Sequence, residues 1–249
     1  MKRMILLLTM MVLVIAAGSV LAGNDLVITP VSGEVQYLTL GSVSSLSAQG
    51  DVFCCKLGND NPAVYAVEDF VTGNQKFSYQ FFAEPSCGCE TGFFSEKIQI
   101  TMRFGPEDVP VTLEVNASFE ETQFDATGDH LVPGPPICTS PTFSGTIYEP
   151  GIYIVEVPLR QVNCLCAHWG YDYAVTMNFL NTFENKPDLI IDANPVGGTS
   201  WMSRGDGWED LVADYRFLGE LKMKTKIQCC SNPVDDVQPS WGSLKAQFR

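Results

Sequence analysis

The sequence predicts an all-β protein, an antiparallel β-sandwich of jelly-roll-like character, on three observations. Apolar residues recur at every second position, turn-forming residues punctuate those runs, and cysteines come in close pairs. Phe77, Tyr79 and Phe81 alternate with Lys76, Ser78 and Gln80. Ile98, Ile100, Met102 and Phe104 do the same with Lys97, Gln99, Thr101 and Arg103, as do Leu113, Val115, Ala117 and Phe119 with their polar neighbours. Tyr173, Val175, Met177 and Phe179 make a fourth such run, and Leu221, Met223 and Ile227 a fifth. Side chains on a strand point alternately to its two faces, so each run has one apolar face and one expected to be wet. Two sheets packed face to face bury the apolar faces together.

Gly58-Asn59-Asp60-Asn61-Pro62, Gly105-Pro106 and Pro150-Gly151 supply turns between the runs. The Pro-rich stretch 133–141 reads as a crossover between sheets or a seam between subdomains. One short helix is expected near 207–218. Asp206 would cap it, Glu209 would complete a capping box, Leu211, Val212 and Tyr215 would line its buried face, and Gly219 would end it. Lys222, Lys224 and Lys226 form a stripe that reads as a solvated face or a protected sheet edge.

Residues 1–22 have the layout of a secretory signal peptide. Lys2 and Arg3 precede the apolar run Met4–Ala17, and Val20-Leu21-Ala22 offers a cleavage site. The domain organisation that follows is a signal peptide at 1–22, a disulfide-stapled sandwich at 23–230, and a linker and tail at 231–249. Losing the two cations of the leader takes the formal charge from −14 to −16. So acidic a chain offers no broad surface for a polyanion, which excludes nucleic acid as a partner. No later stretch is long and apolar enough for membrane insertion once the leader is gone. The expected localisation is secreted, extracellular or periplasmic.

The nine cysteines are Cys54, Cys55, Cys87, Cys89, Cys138, Cys164, Cys166, Cys229 and Cys230. In an oxidising compartment they read as a disulfide framework. Adjacent or alternate cysteines pair poorly with each other, so each pair should send bridges to another pair. A bridge from 54/55 to 229/230 would tie the first third of the fold to its last strand. Cys138 stands alone as the odd residue. The rival reading is a metal site at Cys164, Cys166 and His168, whose alternate spacing would aim three soft ligands one way on a strand.

Catalytic signatures are missing: there is no nucleophile elbow, phosphate loop, zinc-protease helix motif or dinucleotide fingerprint. With only His130 and His168, a histidine-dependent nucleophilic site has few ways to assemble. No cofactor is expected; calcium at Asn59-Asp60-Asn61 or near Asp206 is the alternative. The leading expectation is therefore a non-catalytic extracellular or cell-surface binding or structural protein. The alternative is a carbohydrate-binding module or glycan-active enzyme, with Trp169, Tyr171, Trp201 and Trp208 set against sugar faces. The partner would be an extracellular glycan or a surface protein. A core role for Trp201 and Trp208 competes with the ligand role, since large aromatics usually supply buried area. On the tail, Trp241, Lys245, Phe248 and Arg249 read as a docking or sorting element.

The Cys-x-Cys pairs followed by aromatic strands, the segment Asp188-Leu-Ile-Ile-Asp, then Trp201, Gly207-Trp208-Glu-Asp-Leu and Cys229-Cys230, and a short Trp-Gly tail make a combination. It resembles a group of secreted β-rich proteins of environmental bacteria. The resemblance implies export and brings no activity, cofactor or catalytic residue with it.

Overall fold

The structure is a computed structural model that describes residues 28–30, 33, 35–39, 55–63, 65–85, 88–159 and 164–230. The signal-peptide expectation at 1–22, Cys54, Cys87 and the tail residues Trp241, Lys245, Phe248 and Arg249 lie outside the described residues. Its strands run β1 (Ile28–Pro30), β2 (Val35–Thr39), β3 (Cys55–Gly58), β4 (Tyr65–Val67) and β5 (Gly73–Phe82). There follow β6 (Phe93–Phe104), β7 (Val111–Phe124), β8 (Leu131–Thr139), β9 (Phe143–Ile147) and β10 (Gly151–Pro158). The last are β11 (Asp172–Thr182), β12 (Asp188–Ile191), β13 (Ser200–Ser203), β14 (Glu209–Asp210) and β15 (Met223–Cys229).

They form two sheets, as the alternation predicts. The first has the order β1-β4-β12-β6-β10-β2, with β15 paired to both β6 and β3. The second has the order β14-β13-β5-β11-β7-β8, with β9 paired to β7. Pairing is antiparallel throughout except that β2 lies parallel to β10. Strand β6 is long enough to take β10 along one side and β15 and β12 in succession along the other.

The predicted apolar faces meet in one core. Phe77, Phe93, Phe104, Phe119, Phe179, Ile98 and Ile100 are all fully or almost fully buried in it. Rings cross between the sheets: Phe93 of β6 lies 5.9 Å from Phe119 of β7 and 5.8 Å from Tyr173 of β11. Each such side chain contributes on the order of 1.5–3 kcal/mol by leaving water.

Three expectations are corrected. Residues 133–139 of that stretch form neither crossover nor seam but most of strand β8, antiparallel to β7 in the same sheet, with register shifts around Glu120. Prolines lack the ladder N–H, and an outermost, bulged strand is where a sheet accommodates them. No helix forms near 207–218. The short β14 pairs with β13 there and a turn follows, capped by Asp210 rather than Asp206: Asp210 Oδ1 accepts from the N–H of Val212 (2.8 Å) and Ala213 (3.0 Å). Gly205 and Gly207, at φ of +112° and +128°, precede it in a conformation no helix continues. The lysine stripe is not an edge, because β15 is flanked by β3 and β6. Lys222 is buried, and Lys224 pairs with Asp60.

The cysteines do bridge pair to pair. Cys89 joins Cys229 and Cys166 joins Cys230, so the adjacent pair at the end of β15 is stapled to two different segments. Cys138, expected to be the odd residue, joins Cys164. The expected bridge from 54/55 to 229/230 is thereby overturned, since both late cysteines are used elsewhere. Cys55 is also disulfide-bonded. The metal reading at Cys164, Cys166 and His168 fails as well, because both sulfurs are consumed in disulfides.

Candidate functional site: a cleft on the outer face of the second sheet

The outward face of the second sheet is polar, as the alternation requires, but its middle is not wet. Register places Trp201, Ser78, Thr176 and Ser118 side by side across four strands, and Gln80, Ala174 and Glu120 in the adjacent row. Of these, Ser78, Gln80, Ala174, Thr176, Glu120 and Trp201 are buried. Polar side chains there bond to one another. The Thr176 hydroxyl lies 2.9 Å from both Ser78 Oγ and Glu120 Oε2, and the Ser118 hydroxyl donates to Glu120. Burial pushes the Glu120 carboxyl above its ordinary value, and these hydroxyl donors offset only part of that.

Two segments from opposite ends of the sheet converge over this face. One is the tip of the β7–β8 hairpin, the other the stretch that carries β14 and the turn after it. Together with Trp201 they enclose a cavity of about 440 Å³ lined by Gln123, Phe124, Asp125, Ala126, His130, Val132, Trp201, Gly207, Trp208, Asp210, Ala213 and Asp214. Strands β8 and β14 stand at the two ends of the strand order, so residues from both can share a cavity only if the walls curl inward over the sheet.

The walls are held by carboxylates gripping backbone N–H groups. In the hairpin tip, Asp125 Oδ1 accepts from the Thr127 hydroxyl (2.8 Å) and from the N–H of Gly128 (2.8 Å) and Asp129 (3.2 Å). The Thr127 hydroxyl and these N–H groups hold the Asp125 carboxyl below its ordinary value. On the other wall Asp210 Oδ2 accepts from Gly198 N (2.6 Å), and Asp214 Oδ2 from Asp210 N (2.8 Å). Behind the wall, Glu220 Oε1 accepts from the N–H of Val196 and Gly197, each at 2.8 Å. The segment leading into β13 is thus pinned from two sides.

No family model matches the chain, and no curated protein matches it in sequence. Among solved structures it is similar to the cysteine protease and lectin-like domains of Cwp84, a surface layer associated protein of Clostridium difficile. The TM-score is 0.47 at 13% identity, over 74% of this chain and 37% of that one. This chain therefore spans little over a third of that structure's length. At that similarity the likeness decides nothing about activity or ligand.

Of the four aromatic residues singled out from the sequence, Trp201 and Trp208 line the cavity and Trp169 and Tyr171 do not. Trp201 is 4% exposed, and it lies outside the inter-sheet core, on the outer face. Trp208 is half-buried. Trp169 packs on Phe93, ring centroids 4.6 Å apart, and its indole N–H donates to the Cys89 carbonyl at 2.8 Å. It props the disulfide-bonded end of the core. Tyr171 is 62% exposed and stands free of the cavity. Phe124, Asp125 and Asp214 were not singled out, because nothing in their local sequence tells that a hairpin tip folds back over its own sheet.

The Asn59-Asp60-Asn61 turn, the calcium alternative, presents its amide donors inward. The side chains of Asn59 (3.1 Å) and Asn61 (2.9 Å) both donate to Asp192 Oδ2, while Asp192 Oδ1 accepts from Asn194 N (2.9 Å) and Glu220 N (2.8 Å). Asp206 is exposed beside Gly207. Among the described residues no group of three or more His, Cys, Asp or Glu is placed to hold a metal ion, and no helix is long and apolar enough to cross a membrane.

Proposed function

We propose that this chain is an exported, non-catalytic binding module whose outer-face cleft takes a glycan. The observation that carries the reading is the cavity itself, in which Trp201, Trp208 and the exposed ring of Phe124 meet Asp125, His130, Asp210 and Asp214. A sugar has an apolar C–H face and a rim of hydroxyls. Aromatic rings bordered by a few polar groups complement both, and the cavity volume lies in the range of small-ligand sites.

Binding without catalysis is favoured by what the carboxylates are doing. Glycoside hydrolysis requires a carboxylic acid that holds its proton near neutral pH. Asp125 is shifted the other way, and both oxygens of Asp210 are occupied by backbone N–H groups. Export is supported by the leader-like residues 1–22 and by the bridges Cys89–Cys229, Cys138–Cys164 and Cys166–Cys230, which persist in oxidising surroundings.

The test is calorimetry and tryptophan fluorescence of the oxidised protein against neutral and acidic oligosaccharides, repeated with Trp208→Ala. Binding by at least one glycan, weakened about tenfold or more in the variant, is the expected result, since one stacked ring is worth on the order of 1–2 kcal/mol. A panel in which nothing binds, or a variant that binds as the parent does, overturns the reading.

A further inference from the structure

We propose that the cleft takes sugars that carry amino groups, as oligomers of glucosamine do, and prefers them to neutral and to anionic sugars. The inference rests on the glycan reading of the cleft and adds the chemical class of the guest.

Three of the twelve residues that line the cavity are aspartates, Asp125, Asp210 and Asp214, and none is lysine or arginine. None of the three belongs to an ion pair among the described residues. Their hydrogen bonds come from backbone N–H groups and the Thr127 hydroxyl, all of them neutral donors. Such donors fix a carboxylate in place without cancelling its charge, so the charge is left standing at the cavity. Asp125 keeps its share well into acid, because the Thr127 hydroxyl and the nearby N–H groups hold its carboxyl below the ordinary value. The three aspartates form no group placed to hold a metal ion. Their charge is spread along two walls rather than gathered at a point, which suits a guest whose own charges are spaced along a chain.

A cleft walled by one sign of charge focuses its field, and a guest inside feels that sign without touching any one carboxylate. The aromatic lining selects the same sign independently. The face of an aromatic ring is negative and attracts a cation, and Trp208 and the exposed Phe124 both line the cavity. Rings alone would suit any sugar, and carboxylates alone any cation. The two together favour a sugar ring that bears an ammonium group. A uronate or a sulfated sugar would bring negative charge between Asp125, Asp210 and Asp214, and that repulsion acts against it.

The experiment uses the oxidised wild-type protein at about pH 6, where the sugar amines are protonated, with dissociation constants from calorimetry. The probes are chitotriose, which has three glucosamine units, triacetylchitotriose, cellotriose, trigalacturonate and spermidine. The first three share one linkage and differ in the amine, while spermidine has the ammonium groups without the rings. The double variant Asp125→Asn/Asp214→Asn is measured alongside, with its fold checked by circular dichroism. Asparagine keeps an oxygen to accept from the wall N–H groups and removes the charge. Chitotriose is expected to bind at least about tenfold more tightly than cellotriose or triacetylchitotriose, trigalacturonate least, with an advantage that shrinks as salt is added. The double variant should cut that advantage to about threefold or less. Chitotriose binding no more tightly than cellotriose overturns the proposal while the glycan reading stands, and does so with wild-type protein alone. A folded double variant that keeps the whole advantage overturns it too, assigning the attraction to the chain's overall charge of −14. Spermidine binding as tightly as chitotriose also overturns it, since the guest is then any polycation. Failure of every sugar to bind removes both readings.

Discussion

Replacing Asp192 by asparagine tests how the Asn59-Asp60-Asn61 turn is tied to the segment that precedes β15. The carboxylate accepts four hydrogen bonds, two through Oδ1 from the backbone of Asn194 and Glu220 and two through Oδ2 from Asn59 and Asn61. An asparagine keeps the first two and turns an N–H₂ toward the two amide donors, so both of the latter are lost. At about 1.5–3 kcal/mol for each bond to a charged acceptor, the ceiling is about 3–6 kcal/mol. Asn61 is exposed and can turn to water, while the Asn59 amide retains the Leu221 carbonyl at 3.0 Å. The expected loss is therefore about 2–3 kcal/mol at pH 7. Acid sharpens the test. Burial alone would raise the Asp192 carboxyl, but Asn61, the N–H groups of Glu220 and Asn194, and Asn59 together hold it below its ordinary 3.8. A carboxyl depressed in the folded state stabilises fully above its unfolded value and ceases to do so as pH falls through the folded one. Urea denaturation without reductant, run at pH 7 and again below pH 3.8, should show the gap between parent and Asp192→Asn narrowing in acid. A gap under about 0.5 kcal/mol at pH 7, or one that does not change with pH, refutes the reasoning.

Two further outcomes follow from the staples and the buried outer face. Removing the Cys138–Cys164 bridge as a double serine variant frees a loop with a sequence separation of 26, which the chain-entropy relation values at about 3.5 kcal/mol; denaturant midpoints under non-reducing conditions measure it. Glu120 is shifted in the opposite sense from Asp192, upward by burial, so ionising it opposes folding as pH rises above its ordinary 4.5. Glu120→Gln should therefore compare more favourably with the parent at pH 7 than at pH 4, and the same relative stability at both would count against a strained buried carboxylate.

The inward faces of both sheets were legible because burial imposes a period of two, and each of the runs around Phe77, Ile98, Leu113, Tyr173 and Met223 became a core strand. Alternation says that Ser78, Thr176 and Glu120 face away from that core. It does not say what covers them, and here residues of the β7–β8 tip and of the stretch after β13 close over the same face. The helix expected at 207–218 failed for a local reason: Asp206 and Glu209 spell a capping box, but Gly205 and Gly207 adopt positive φ and Asp210 takes over the capping. Pairing of cysteines between clusters was legible, while the partners were not, since spacing holds no information about which strand ends meet. Trp201 and Trp208 line one cavity, but on composition alone they could not be separated from Trp169, which packs on the core.

The disulfide-linked region and the cleft walls are built on different principles, and that difference bears on function. Around Gly92, disulfides and backbone are packed so closely that a Cβ there would lie 2.3 Å from the Ala167 carbonyl oxygen and 2.9 Å from the Cys166 sulfur. Covalent staples and core aromatics fix that region, and little can change in it. The described cleft walls contain no cysteine; Asp125, Asp210 and Glu220 shape them through backbone N–H groups, with the Thr127 hydroxyl added at Asp125. Bonds of that kind require only a carboxylate at one position and leave the neighbouring side chains unconstrained. Phe124, His130, Trp208 and Ala213 can therefore be exchanged without touching the sandwich, which is how a rigid scaffold carries a binding surface on its loops. A ligand specificity altered by substitutions at these four positions, with stability unchanged, is the behaviour this division of labour implies.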